Sequence, residues 1–263
     1  MKNRIPTVLI VAACFIATGQ AQGGITEKAI SIQKEKQDAV IWVEGVLKLQ
    51  ISSQGQTQNR EQKVETLGTV IGASGLTVVP SSALNPTGML TQMMRGSGMS
   101  MDGQLSDVKL RMADGSEVEA DVVLKDDDLD IAFLSPSTSE GLPKFAYVDI
   151  SKDVAPELLD QIVMIGRMPK FMNREPSVQL GRIISIVDKP RTFYCIDNLS
   201  SMGIPAYSQD GELIGISVLK KPRKLDFSAG QNAGMTPVIL PAEDIRDIAS
   251  QALAEIEREA NED

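Results

Sequence analysis

The fold is decided at residues 66–79, which read TLGTVIGASGLTVV. Two short runs rich in strand-forming residues, Thr66–Ile71 and Leu76–Val79, flank the tetrapeptide Gly72–Gly75. Such runs on either side of a glycine-containing turn predict a β-hairpin. The stretch therefore indicates an antiparallel β protein.

Short strands continue on both sides of this hairpin. Val108, Leu110 and Met112 alternate with polar residues, which is the pattern of a strand with one buried and one wet face. Ser135–Lys144 is rich in Ser, Thr, Pro and Gly and is typical of a linker between two halves. The remaining strand-like runs are Ala39–Val43, Val46–Ile51, Val118–Leu124, Ile131–Leu134, Gln161–Ile165, Val178–Val187, Phe193–Ile196, Leu213–Leu219 and Met235–Ile239.

The end of the chain changes period. Pro241 is followed by acidic residues, which suit the first turn of a helix, and apolar residues then recur at helical spacing from Ile245 to Ile256. We therefore predict a mainly β fold with two antiparallel, six-stranded-type barrels over residues 30–140 and 145–240. A C-terminal helix over residues 241–260 closes it.

Two polar segments are predicted to be loops. Ser52–Lys63 has no apolar alternation, and Pro86–Ser106 holds five methionines among Gly and Ser. We interpret the methionine-rich segment as a long loop packed on the barrel. Two alternatives remain open for it, an adaptable apolar contact surface and a soft copper(I) site.

The N-terminus is typical of an export signal over residues 1–21. Lys2 and Arg4 precede the apolar run Ile5–Ala17, which is too short to span a bilayer, and small residues allow cleavage after Ala21. We expect a soluble periplasmic or extracellular domain over residues 25–263. The alternative is a lipid anchor at Cys14, because residues 11–14 fit a lipobox.

Composition excludes several classes of function. The chain has 263 residues and no histidine, so it lacks the usual general base and the commonest metal ligand. Its net charge is −9 and no cluster of Lys and Arg stands out, which argues against nucleic-acid binding. Cys14 and Cys195 give neither a zinc spacing nor a CxxC pair. We expect no cofactor and no bound metal.

Several segments, in order along the chain, resemble the protease domain of the HtrA/Deg family of trypsin-like proteases. Gly211–Ile216 matches that family's G-E-L-I-G-I strand, and Asp128–Leu134 resembles its D-x-D-I-A-L-L strand. The resemblance implies a trypsin-like fold, and we expect no PDZ module after the last helix. The other matching segments are Leu67–Val79, Val108–Leu124, Ile165–Pro169 and Met235–Pro241.

The resemblance also assigns positions to that family's Ser-His-Asp triad. Ser82 falls at the histidine, Asp130 at the aspartate and Met202 at the nucleophile. A thioether cannot be acylated in this chemistry, and no imidazole exists to activate a neighbouring serine. We therefore predict a degenerate triad without catalytic function. Asp130 is expected to have a structural role, capping a turn or bonding Ser82.

The same resemblance implies a cleft that binds peptides by strand addition. We expect Cys195, Ser200, Ser201 and Gly203 to form the cleft wall, and a peptide or protein to be the partner. Ile204 replaces a family glycine, which predicts a rebuilt loop. Two alternatives remain, an enzyme that uses a serine with a lysine or Asp130 as base, and a structural subunit that docks elsewhere through its last helix.

Overall fold

The computed structural model of the chain describes residues 17–53, 55–94, 98–222 and 235–262. The stretch at residues 66–79 forms the predicted hairpin, closed by hydrogen bonds from Ile71 N to Leu76 O (2.8 Å) and from Gly75 N to Gly72 O (3.0 Å). Gly75 has a φ of 89°, and a Cβ there would lie 2.7 Å from the ring of Phe145. Glycine is therefore required at this turn on two grounds.

The first barrel is a closed antiparallel sheet with the strand order β1-β2-β3-β6-β5-β4. Its interior is aliphatic, with Val70, Leu110 and Leu134 fully buried. Its strands are β1 (Val40–Ser53), β2 (Gln56–Val70), β3 (Thr77–Pro80), β4 (Met99–Arg111), β5 (Glu117–Asp126) and β6 (Ile131–Pro136).

The second barrel is closed in the order β10-β11-β12-β9-β8-β7. Together with the first barrel and the last helix, it confirms the predicted fold class. Its strands are β7 (Gln161–Arg167), β8 (Pro176–Val187), β9 (Phe193–Ile196), β10 (Pro205–Tyr207), β11 (Leu213–Lys220) and β12 (Thr236–Pro241).

Helices lie mainly at the two ends of the described chain. The C-terminal helix buries Ile245, Ile248 and Ala252, so the predicted apolar stripe packs on the chain's own barrels against β5, β11 and β12. No described helix is both long enough and apolar enough to cross a membrane. The helices are α1 (Ala17–Lys36), α2 (Ser81–Leu84), α3 (Thr87–Met93) and α4 (Ala242–Glu262), with 3₁₀ turns at Gln37–Ala39 and Lys170–Met172.

Helix α1 is absent from the sequence-based prediction. It packs on β7 and β8 of the second barrel, although it precedes the first, and it buries Ile25, Ala29 and Ile32. These three positions have the i, i+4, i+7 spacing of one helix face, a signal that would have predicted it. All three follow Ala21, so cleavage there would leave this packing in place.

The polar loop predicted at Ser52–Lys63 is wrong. Strand β1 continues to Ser53, and β2 begins at Gln56. The segment forms a strand because its backbone pairs with β1, while polar pairs lie across the ladder, such as the hydroxyls of Ser52 and Thr57 at 3.1 Å. A strand exposed on both faces shows no apolar alternation.

The single long loop predicted at Pro86–Ser106 is wrong as well. Helix α3 occupies its first part, and β4 begins at Met99. Met101 lies opposite Ile51 of β1, so it packs as an ordinary strand residue. The side chains of Met89 and Met93 lie outside the described residues, and the copper(I) alternative stays a hypothesis.

Candidate functional site

Asp130 is the buried centre of the candidate site. It ends the turn that leads into β6, its φ is 60°, and none of its surface is exposed. Aspartate tolerates this left-handed backbone better than most residues. The turn is stabilised by the carboxylate of Asp126, which accepts hydrogen bonds from the backbone N–H groups of Asp128 and Leu129 at 3.0 Å each.

Both carboxylate oxygens of Asp130 are occupied. Ser82 donates twice, from its backbone N to Oδ1 (2.9 Å) and from Oγ to Oδ2 (3.0 Å). The backbone N–H of Leu219 donates to Oδ2 (3.1 Å), and Lys221 Nζ forms an ion pair with Oδ1 at 2.8 Å. The predicted contact with Ser82 is therefore present, within a larger network that offsets the cost of burying a carboxylate.

Lys221 is the site residue that sequence reasoning missed. It follows β11, so it belongs to the second barrel, whereas Asp130 and Ser82 belong to the first. Only the closure of one barrel against the other brings these residues together, and no local pattern in the sequence predicts this contact. Lys221 therefore binds the carboxylate of Asp130, which by the resemblance would orient the imidazole of a histidine.

Helix α2 positions Ser82 beside Asp130. The backbone N–H of Ser81 donates to the carbonyl of Asp130 (3.1 Å), and its Oγ donates to Asp127 (3.1 Å). Burial tends to raise the pKa of Asp127, but its ion pair with Lys125 at 2.9 Å contributes to a net pKa below the ordinary value. The acidic residues of this turn therefore hydrogen-bond to α2 and to the backbone of the turn itself. Among the described residues, no cluster of acids and cysteines is placed to hold a metal.

Ser217 of β11 fixes the loop that contains Met202. Its backbone N donates to Ile204 O (2.9 Å), and its carbonyl accepts from Gly203 N (2.8 Å). Its buried Oγ accepts from Ile204 N (3.0 Å) and lies 3.1 Å from the carbonyl of Ser201. Four polar backbone groups of the loop thereby have hydrogen-bond partners inside the protein.

Gly203 brings this loop against the first barrel. Its φ is 77°, and a Cβ there would lie 2.3 Å from the carbonyl oxygen of Leu67 and 2.8 Å from Cδ of Pro80. Thr69 Oγ1 donates to its carbonyl at 2.8 Å. Because Met202 is the neighbour of Gly203, and Pro80 directly precedes α2, the Met202 loop lies against the segment that leads into Ser82, at a junction between the barrels.

Ile204, which stands where the resemblance implies a glycine, does not adopt the positive φ that glycine would allow. The positive φ lies at Gly203, one residue earlier, and Ile204 is not among the described residues with positive φ. Its side chain is buried. The loop thus accommodates a branched residue in the core of the second barrel.

The predicted cleft wall is only partly assembled. Ser201 and Gly203 lie at the junction, whereas exposed Ser200 donates to Gln179 of β8 (2.8 Å). Cys195 is half-buried and packs against the apolar cluster that includes Phe193 and the inner face of α4. Burial raises the pKa of the Cys195 thiol, which favours its unreactive protonated form.

A second polar junction joins the barrels near Trp42. Arg174 of the second barrel binds Glu65 and lies 2.6 Å from Glu44, and its guanidinium stands 5.7 Å from the centre of the Trp42 ring. Glu44 also pairs with Arg111 at 2.7 Å. The hydrogen bond from Arg111 holds the pKa of Glu44 below its ordinary value.

A family model described as a trypsin-like peptidase domain matches residues 66–216, more than half of the 263-residue chain. The matched range contains Ser82, Asp130 and Met202. No curated protein matches the chain significantly.

Proposed function

This chain belongs to the trypsin-like peptidase family, and we propose that it is an exported, non-catalytic member that binds a peptide or a protein partner. The proposal is carried by one observation. The buried carboxylate of Asp130 holds Lys221 and Ser82, where the resemblance implies a histidine. Export is proposed from the signal-like residues 1–21 alone.

Peptide-bond hydrolysis by a serine enzyme needs a hydroxyl nucleophile and a base that removes its proton. Met202 supplies no hydroxyl, and the 263 residues include no histidine. Lys221 forms an ion pair with Asp130, and an ammonium has no lone pair with which to accept a proton. The junction thus combines the wrong groups for the family's chemistry, and its contacts favour a structural role for the acid.

A partner bound at this junction would contact side chains, because backbone groups of β11 already have partners within the protein. Ser217 already uses its backbone N–H and C=O on the loop, and the N–H of Leu219 is used by Asp130. These groups of β11 are therefore not available to a bound strand. Half-buried Met202, in a loop held rigidly at its neighbours, is an adaptable apolar contact.

The catalytic half of the proposal is tested with the full chain, unfolded casein and a fluorophosphonate probe. We expect neither cleavage nor labelling. Labelling that disappears in Ser201→Ala would overturn the non-catalytic assignment, since that serine neighbours the nucleophile position.

The binding half is tested on peptide arrays. Met202→Arg places a charged side chain at the junction and is expected to reduce capture by tenfold or more. Gln251→Arg, a matched change on the exposed face of α4, is expected to leave capture unchanged. Equal capture by both variants would place the binding surface elsewhere.

The Ser–Lys enzyme is the second candidate, because Lys221 and Ser82 bond the same carboxylate. In that case the reactive serine is Ser82. Labelling by the probe that is lost in Ser82→Ala and retained in Ser201→Ala would support this alternative over the binding protein.

A further inference from the structure

Three strands of the first barrel extend together as an arm. We define the arm as residues 46–53 of β1, 56–65 of β2 and 99–106 of β4. Strands β1 and β2 pair without a register shift from Val40–Thr69 to Ser53–Gln56. The arm is therefore a regular antiparallel ribbon in which β2 and β4 are the outer strands.

The two outer strands of the arm differ in how their edges are covered. The edge of β4 receives side-chain hydrogen bonds from Thr91 to Met101 O (2.8 Å) and from Asn85 to Gly103 O (2.7 Å). The edge of β2 pairs with β3 only at Thr69 and Val70. Within the described chain, residues 56–65 form no backbone hydrogen bond to any segment other than β1.

An open edge of this length is a template for another strand. Proteins usually block such edges with proline, a bulge, a very short strand or charged side chains, lysine above all. Residues 56–65 contain no proline and no register shift, and all but Val64 are exposed. Their four charges, on Arg60, Glu61, Lys63 and Glu65, sum to zero in a chain of net charge −9. The edge is thus open and locally neutral.

Symmetry limits how two copies of this edge can pair. In an antiparallel pair, the side chains of two opposed residues lie on the same face of the sheet. A two-fold axis perpendicular to the sheet keeps each side chain on the same face in both copies. Each residue must therefore pair with one an even number of positions away. The register must then be centred on a single residue that faces its own copy.

Charge then separates the allowed registers. Centring on Arg60, Glu61 or Lys63 places two like charges opposite each other. A register centred on residue 59, or on a residue nearer the turn between β1 and β2, places no opposite charges across from each other. A register centred beyond residue 63 would have to include Thr66, which is buried. Centring on Gln62 pairs Glu61 with the partner's Lys63, twice by symmetry.

We propose that a second copy of this chain adds to the arm at the β2 edge, through residues 59–65 and centred on Gln62. The register also places the Asn59 amide opposite the partner's Glu65 and joins two three-stranded ribbons into one six-stranded sheet. Seven residues from each copy form a small interface, which belongs to the weak, transient class. The proposal is independent of peptide binding at the Met202 junction.

Sedimentation of the full chain between about 10 and 500 µM tests the dimer over the range where weak interfaces associate. Glu61→Lys sets like charges opposite each other and is expected to weaken association at least tenfold. The swap Glu61→Lys/Lys63→Glu restores opposite charges in this register and is expected to recover the dimer. A monomer at every concentration would overturn the proposal. The β2 edge would then be a candidate site for a strand of another protein.

Cross-linking tests the register. Gln62→Cys places the thiol directly opposite its own copy, and mild oxidation is expected to give a disulfide-linked dimer. Gln58→Cys serves as the matched control, because its opposite position is 66 of the other copy. The unmodified chain reports any contribution from Cys14 and Cys195. Equal cross-linking of both variants would contradict the register.

Discussion

Ion pairs join the barrels at the Met202 junction and at the Trp42 junction, and these two junctions differ in their exposure to solvent. At the Met202 junction the side chain of Asp130 is 1% exposed, whereas Glu44 at the Trp42 junction is 31% exposed. A buried charge that loses its partner has nothing left to compensate its burial, whereas water screens the charges of a partly exposed pair. Similar distances therefore correspond to different energies, and Asp130 is expected to contribute more to stability than Glu44.

The largest effect is expected at Asp130. Asp130→Ala removes the acceptor for Ser82, Leu219 and Lys221 and leaves a partly buried ammonium unpaired. We expect a loss of about 3–5 kcal/mol in the free energy of unfolding, measured with urea. Asp128→Ala, on the exposed side of the same turn, is the control. Losses within about 0.5 kcal/mol of each other would show that the network is not what stabilises the junction.

An intermediate effect is expected at Gly203. Gly203→Ala and Gly115→Ala both place a methyl group at positive φ, but a Cβ at Gly115 meets nothing within 4 Å. The overpacking against Leu67 should make Gly203→Ala about 1–3 kcal/mol more destabilising than its control. Equal losses in urea unfolding would mean that the loop moves away from the first barrel at little cost.

The smallest effect, and the one with a pH signature, is expected at the Trp42 junction. Glu44→Gln should cost about 1 kcal/mol at pH 7, because the pair is partly solvated. The pKa of Glu44 is lowered in the folded protein, so its contribution is present above the unfolded value of about 4.3 and is lost as the pH falls through the folded value.

Urea unfolding at pH 7 and near pH 3 should therefore show a difference from wild type that becomes smaller in acid. Glu140→Gln, at an exposed glutamate, is the control with no difference at either pH. A constant difference for Glu44→Gln at both pH values would assign the effect to packing instead of charge.

Local patterns predicted the parts of the fold whose cause is local. The glycines of residues 72–75 fixed the hairpin, and the helical spacing from Ile245 onward fixed α4. The predicted strand Val46–Ile51 is part of the arm, but the outer strand β2 was missed, because a strand exposed on both faces needs only backbone pairing and leaves no apolar alternation in Gln56–Val64. Helix α1 was missed although the spacing of Ile25, Ala29 and Ile32 is that of one apolar helix face.

In the candidate site, too, a contact with a signal in the sequence was predicted and a contact between the two barrels was not. The contact between Ser82 and Asp130 was predicted from motifs that lie in order along the chain. Lys221 could not be predicted, because its contact with Asp130 depends on how two barrels meet in space. Cys195 was predicted on the cleft wall from its position in sequence, and it is half-buried against the apolar cluster that includes Phe193.

The terminal helices also have a consequence for biosynthesis. The helix made before the first barrel packs on the second, and the helix made after the second barrel packs partly on the first. Neither half thus possesses its full apolar cover while the other is still missing. Residues 242–262 must therefore be translated before the first barrel can gain its full apolar cover.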